Sequence, residues 1–183
     1  MTRMADDSIA VLSGLFKEFP NEPFPIVHLM DSPEVPEAYR SLLDHEHHMT
    51  VTMEAHHNES VRVRVLSEIS QDGCYSRILN LVGEKTGKLV LFGLMRVRMN
   101  SLPAQVQDEI LARKEPLGRI LIRNEIMRKI ELIKLLKIDY FPAREHWFHS
   151  NDKNPYYGRI AMIHCEGRPA IELFEVVGPV SKS

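Results

Sequence analysis

The stretch Pro116-Leu117-Gly118-Arg119-Ile120-Leu121-Ile122 has the residue types of an anion seat. Proline suits the first position of a helix, where its missing N–H costs nothing. The N–H groups of Leu117 and Gly118 then lack an intrahelical acceptor and carry the positive end of the helix dipole. Gly118 has no side chain, so a carboxylate or phosphate can approach its backbone closely. The competing reading is a Pro-started helix whose glycine packs against a neighbour. An anion site also needs a cation, and Arg77 supplies one. In the strand-like segment Cys74-Tyr75-Ser76-Arg77-Ile78-Leu79-Asn80-Leu81 it shares a face with Tyr75, Leu79 and Leu81. A cation among core-facing residues must be paired or bind a ligand. The alternative is an arginine at a sheet edge reaching solvent.

Carboxylates come from Glu172 and Glu175 in Ala170-Ile171-Glu172-Leu173-Phe174-Glu175. In a regular strand these two point to opposite faces, so one faces inward while the other is solvated. An inward carboxylate near Arg77 is either a salt bridge or a group that orients a ligand hydroxyl while the arginine holds a carboxylate. Arg96 and Arg98 add cations on one shared face of the preceding strand, whereas Arg62 and Arg64 read as a solvated face. The histidines of Asp44-His45-Glu46-His47-His48, with His56, His57, His146 and His149, show no HExxH spacing and read as polar, partly exposed groups. No metal is expected. Cys74 and Cys165 lack metal-ligand spacing and are too few for a disulfide framework, so they read as free thiols.

These residues need a scaffold. The chain has 183 residues, 44% hydrophobic and 26% charged, with a net charge of −2. That suits one soluble domain with a sizeable core and gives no global basic field for nucleic acid or lipid. An anionic ligand must then be held by a few local arginines. Ile9 to Phe19 has helical apolar spacing, and Pro20, Pro23, Pro25, Pro33 and Pro36 make an irregular connector. Residues 1–40 thus form a helical, Pro-rich cover to a single domain spanning 1–183. From His48 the period becomes two: Met49, Val51 and Met53 alternate with polar residues, as do Val61, Val63 and Val65. Short polar turns then lead to strands Cys74 to Val82 and Leu89 to Met99, an antiparallel meander. A helix capped by Asn100 or Ser101 runs to about Arg113. Residues 126–140 fit helix or strand, with strand favoured from about Lys129. A polar loop, Arg144 to Pro155, precedes a hairpin of Tyr157 to Cys165 and Ala170 to Val177. The predicted class is α+β, an antiparallel sheet of about six strands with inserted and flanking helices. No apolar run reaches membrane-spanning length and the N-terminus lacks a signal-peptide core, so the expected location is cytoplasmic, away from membranes.

Four segments together resemble the chorismate pyruvate-lyases and their chorismate-lyase-like relatives over roughly residues 40–180. They are Leu42-Leu43 with Met49-Thr50, Tyr75 with Arg77-Ile78-Leu79, Pro116-Leu117-Gly118-Arg119, and Gly167-Arg168-Pro169 leading to Glu172-Leu173-Phe174. The resemblance implies an internal cavity beneath helical flaps, in which Arg77 holds a ring carboxylate and Glu172 hydrogen-bonds a ring hydroxyl. It further implies that Leu117 contributes its backbone, beside the Gly118 contact read from the helix start, that Met49 lines the pocket, and that Arg96 is a second arginine on the ligand's path. No cofactor is implied. The spacing from Gly167 to Glu172 is two residues shorter than in the better-known branch; a shift of two keeps strand facing, so Glu172 stays the preferred match and Glu175 the fallback.

Two functions follow from this resemblance. The first is a lyase that releases pyruvate from chorismate and leaves 4-hydroxybenzoate or a close aromatic product, by positioning and electrostatic stabilisation. The second is a non-catalytic domain of the same fold that binds a small aromatic carboxylate as a sensor. About 40 residues precede the sheet, and they are Pro-rich and without a basic recognition helix, which speaks against nucleic-acid binding. Oligomeric state and the exact product are not readable from the residues.

Overall fold

A computed structural model describes residues 2–180. Its helices are α1 (Thr2–Lys17), α2 (Glu37–Leu43), α3 (Met49–His57), α4 (Ala104–Leu111), α5 (Leu117–Arg123) and α6 (Glu145–Phe148). Its strands are β1 (Val27–Met30), β2 (Val61–Gln71), β3 (Cys74–Gly83), β4 (Leu89–Arg98), β5 (Arg128–Ile138), β6 (Tyr156–Cys165) and β7 (Arg168–Val177). The seven strands form one antiparallel sheet in the order β1-β5-β6-β7-β4-β3-β2. The expected α+β architecture is therefore present, with one strand more than anticipated. Among the described residues, no helix is long and apolar enough to cross a membrane.

Both faces of the central strands are covered, so β3, β4 and β7 are buried along nearly their whole length. Alternation along each strand divides their side chains between two cores. On one face Leu81, Met95, Ile163 and Ile171 pack beneath α2 to α5, with Leu43, Met53, Ile110 and Leu121. On the other, Phe92, Phe174 and Ile160 meet Leu12, Leu15 and Phe16 of α1, together with Trp147. Trp147 stacks on Phe92 with ring centroids 4.3 Å apart. The first of these cores leaves a space beside the sheet.

Three sequence expectations change. Residues 49–54 are the start of helix α3 and not a strand. Met49 and Met53, at 3% and 0% exposure, are one helical turn apart and share the buried face, while Val51 between them is 48% exposed. Asn58, in the left-handed region at φ 51°, ends the helix. The Pro-rich connector contains β1, which pairs with β5 through Val27↔Ile138 to Met30↔Leu135. The loop from Arg144 carries α6, whose Trp147 is fully buried. Residues 128–138 are a strand, and their mixed pattern has a cause. A bulge between Leu132 and Lys134 shifts the alternation, so Ile130 and Leu135 serve one core while Leu136 and Ile138 serve the other.

Candidate functional site

Between the sheet and helices α3 and α5 lies a cavity with about 490 Å³ of empty space, its mouth included. Apolar side chains such as Met49, Leu79, Leu91, Met95, Ile163 and Leu173 make most of its wall. Into this wall β3 delivers Arg77, which is fully buried. Its Nη1 reaches the Ile110 carbonyl at the long distance of 3.5 Å, while Nε and Nη2 have no hydrogen-bond partner. Burial lowers its pKa below the ordinary guanidinium value, against which Tyr75 and, more weakly, Glu68 pull upward. A guanidinium stays charged through any such shift. The protein thus holds a buried cation with open donors against a largely apolar space.

The carboxylate at this cavity is Glu175, and the preferred match, Glu172, is corrected. On β7 the residues Ile171, Leu173 and Glu175 face the cavity side, whereas Glu172 and Phe174 face α1. There the Arg96 Nε donates to Glu172 at 2.5 Å, and the Arg96 Nη1 donates to the Glu18 carboxylate at 3.2 Å and the Gly14 carbonyl at 3.3 Å. The bond to Glu172 first, and then the contact with Glu18, raise the Arg96 pKa against its partial burial. Arg96 and Glu172 therefore anchor α1 to the back of the sheet, away from Arg77. A two-residue shift preserved facing, but the face it preserved is the one under α1.

Glu175 is itself held by Arg159, a residue that sequence reasoning passed over. The buried Arg159 donates from Nε to Glu175 at 2.8 Å, from Nη1 to the His45 carbonyl at 2.8 Å and from Nη2 to the His47 carbonyl at 3.1 Å. The signal was available, since Arg159 alternates with the apolar Ala161, Ile163 and Cys165 as Arg77 does with its neighbours.

Pro116, Leu117 and Gly118 also line the cavity. Pro116 caps α5 in an extended conformation and does not occupy its first turn. With seven residues α5 has little dipole to offer, and its first-turn N–H groups at Leu117 and Gly118 have no intrahelical acceptor. A Cβ on Gly118 would lie 3.0 Å from both the His48 Cβ and the Thr50 Oγ1. Close packing of α5 on the entry to α3 thus accounts for the glycine, while its backbone still borders the cavity. Arg119 pairs with Glu54 and reaches the Val61 carbonyl, tying α5 to α3 and β2. His48, read from sequence as partly exposed, is 8% exposed and its pKa falls to about 4 through burial first and then the charges of Arg128, Arg159 and His47. Among the described residues, no group of three or more His, Cys, Asp and Glu is placed to hold a metal ion.

No protein-family model matches the chain, and no curated protein matches it in sequence. Solved structures of similar fold include a GntR-family transcriptional regulator from Bacillus cereus, at 8% identity over 67% of this chain and 97% of that one, with a TM-score of 0.44. PhnF from Mycobacterium smegmatis matches at 9% identity over 70% of this chain and 62% of its own length, with a TM-score of 0.48. The C-terminal domain of Yurk from Bacillus subtilis subsp. subtilis str. 168 matches at 7% identity over 66% and 88%, with a TM-score of 0.41. This chain thus spans less than two thirds of PhnF. Likeness at such identities concerns the fold alone.

The expectation of a chorismate pyruvate-lyase is overturned. None of these three structures is described as a lyase, and the one whose function is printed is a transcriptional regulator. Independently, the Arg77–Glu172 pair on which the lyase reading was built is divided between the two faces of the sheet.

Proposed function

We propose that this chain is a binding domain for a small aromatic or cyclic carboxylate, acting as a sensor and not as a catalyst. Arg77 carries this reading. An unpaired guanidinium in a dry interior is costly, and each buried donor without an acceptor costs about 1–3 kcal/mol. A ligand carboxylate accepting from Nε and Nη2 removes that cost with the side-by-side geometry that arginine favours. The apolar wall suits a ring, and the Leu117 and Gly118 amides can share the anion. Glu175 offers an acceptor for a hydroxyl or amine elsewhere on the ring, as it is already oriented by Arg159.

Thermal denaturation at neutral pH with benzoate, 4-hydroxybenzoate and cyclohexanecarboxylate tests this. A ligand present at about a hundred times its dissociation constant stabilises by about 2.7 kcal/mol, which is a rise of roughly 5–10 °C for a domain of this size. Unshifted melting with all three acids would contradict the proposal.

A further inference from the structure

The cavity has a second polar wall that the Arg77 reading does not use. His48, at the entry to α3, lines the cavity and also an outer groove bounded by Glu46, His47, Val51, Ile122, Arg128 and Ile130. Ile130 likewise belongs to both spaces, so the two are separated by little more than these side chains. At this partition the Arg128 Nε–H donates to the His48 Nε2 at 2.7 Å. Arg128 is itself fixed by donating from Nη1 to the Ile126 carbonyl at 2.9 Å.

That contact dictates the chemistry of the ring. Arginine can only donate, so the His48 Nε2 must present its lone pair. A protonated ring would set N–H against N–H and cation against cation. The ring is therefore neutral with its hydrogen on Nδ1, and among the described residues no protein group is hydrogen-bonded to that nitrogen. The base of the ring is packed against α5 as well, since a Cβ on Gly118 would lie 3.0 Å from the His48 Cβ and 3.1 Å from its Cγ.

We infer that His48, locked by Arg128 as its Nδ1–H tautomer, is a second donor to the bound acid, placed where the cavity meets the outer groove through which the acid enters. This rests on the reading of the cavity as a carboxylate site. Arg77 then supplies charge, while His48 supplies a neutral, directional N–H. Arg128 is a positioning residue, acting on the ligand only through the ring.

The test uses the whole chain, with 4-hydroxybenzoate as probe. Long-range 1H–15N correlation on labelled protein should show His48 with a protonated Nδ1 and an unprotonated Nε2, and the Nδ1 resonance should move on adding the acid. Arg128→Met should release the ring into a mixture of tautomers and weaken binding. His48→Asn keeps an amide donor near the position of Nδ1 and should bind within about threefold of wild type; His48→Gln moves the amide to the Nε2 position and should bind about tenfold more weakly, the size of one lost hydrogen bond. A hydrogen on Nε2, an unmoved Nδ1 resonance in the presence of bound acid, or equal affinities for the Gln and Asn variants would overturn the inference while leaving the Arg77 site intact. Failure of the wild-type protein to bind the acid at all would instead remove the carboxylate reading, and this inference with it.

Discussion

Arg77 and Glu172 lie on opposite faces of one sheet, Arg77 in the cavity beneath α3 and α5 and Glu172 under α1 in contact with Arg96. The residues that could be taken for a single site thus do two different jobs. Arg77 keeps open donors toward the cavity, while Glu172 helps fasten a helix.

Replacing Arg77 should separate stability from binding. Arg77→Met removes a buried cation whose Nε and Nη2 are unsatisfied, and leaves a side chain of similar reach. Folding stability should stay level or rise by about 1–3 kcal/mol in denaturant titrations, since the penalty for the open donors disappears. A marked loss of stability would mean that Arg77 is structural.

Glu172→Gln should behave in the opposite way. The Arg96 contacts to Glu18 and Gly14 remain, but the ion pair beneath α1 is lost. About 1–3 kcal/mol of stability should go with it, and carboxylate affinity should stay within about twofold of wild type. An affinity loss comparable to that of the Arg77 variant would return Glu172 to the site.

The buried His48 should make stability depend on pH. Its folded pKa of about 4 lies below the ordinary histidine value of 6.5. Between those values the unfolded chain binds a proton that the folded chain refuses, so stability is full above about pH 6.5 and falls as the pH drops toward 4. The loss attributable to this group is about 3 kcal/mol. Denaturation curves for His48→Asn, which does not titrate there, should show a shallower fall over this window; parallel curves would contradict the assignment.

Gly118→Ala should destabilise even though alanine favours helix. The added methyl meets His48 and Thr50 at 3.0 Å, so α5 must lift from α3 or the ring must shift. Overpacking of this kind costs about 1–3 kcal/mol. A melting temperature at or above wild type would show that the seam between these helices has slack.

Much of the sheet was legible because β2 begins with clean alternation and the β2–β3, β3–β4 and β6–β7 connections are short polar turns. The failures share a physical cause, which is that a local pattern does not say which face is covered. Met49 and Met53 satisfy a period of two and a helical turn equally, and burial beneath the sheet chose the helix. The strand β1 is only four residues among prolines and gains its hydrogen bonds from β5, more than a hundred positions away. Opposite facing of Glu172 and Glu175 was readable, but the face that meets the cavity depends on α1 covering the other side. Arg159 could have been found by the reasoning that found Arg77. The Arg128–His48 contact could not, since it joins residues 80 apart in sequence through tertiary packing.

The most direct test of the carboxylate site is a calorimetric titration of 4-hydroxybenzoate into the wild-type protein and Arg77→Met, under identical conditions, with both confirmed as folded. Saturable binding at one site in the wild type, weakened at least about tenfold in the variant by loss of a charge-assisted contact, is the predicted result. Equal affinity in the two proteins, or no binding by the wild type, would contradict it.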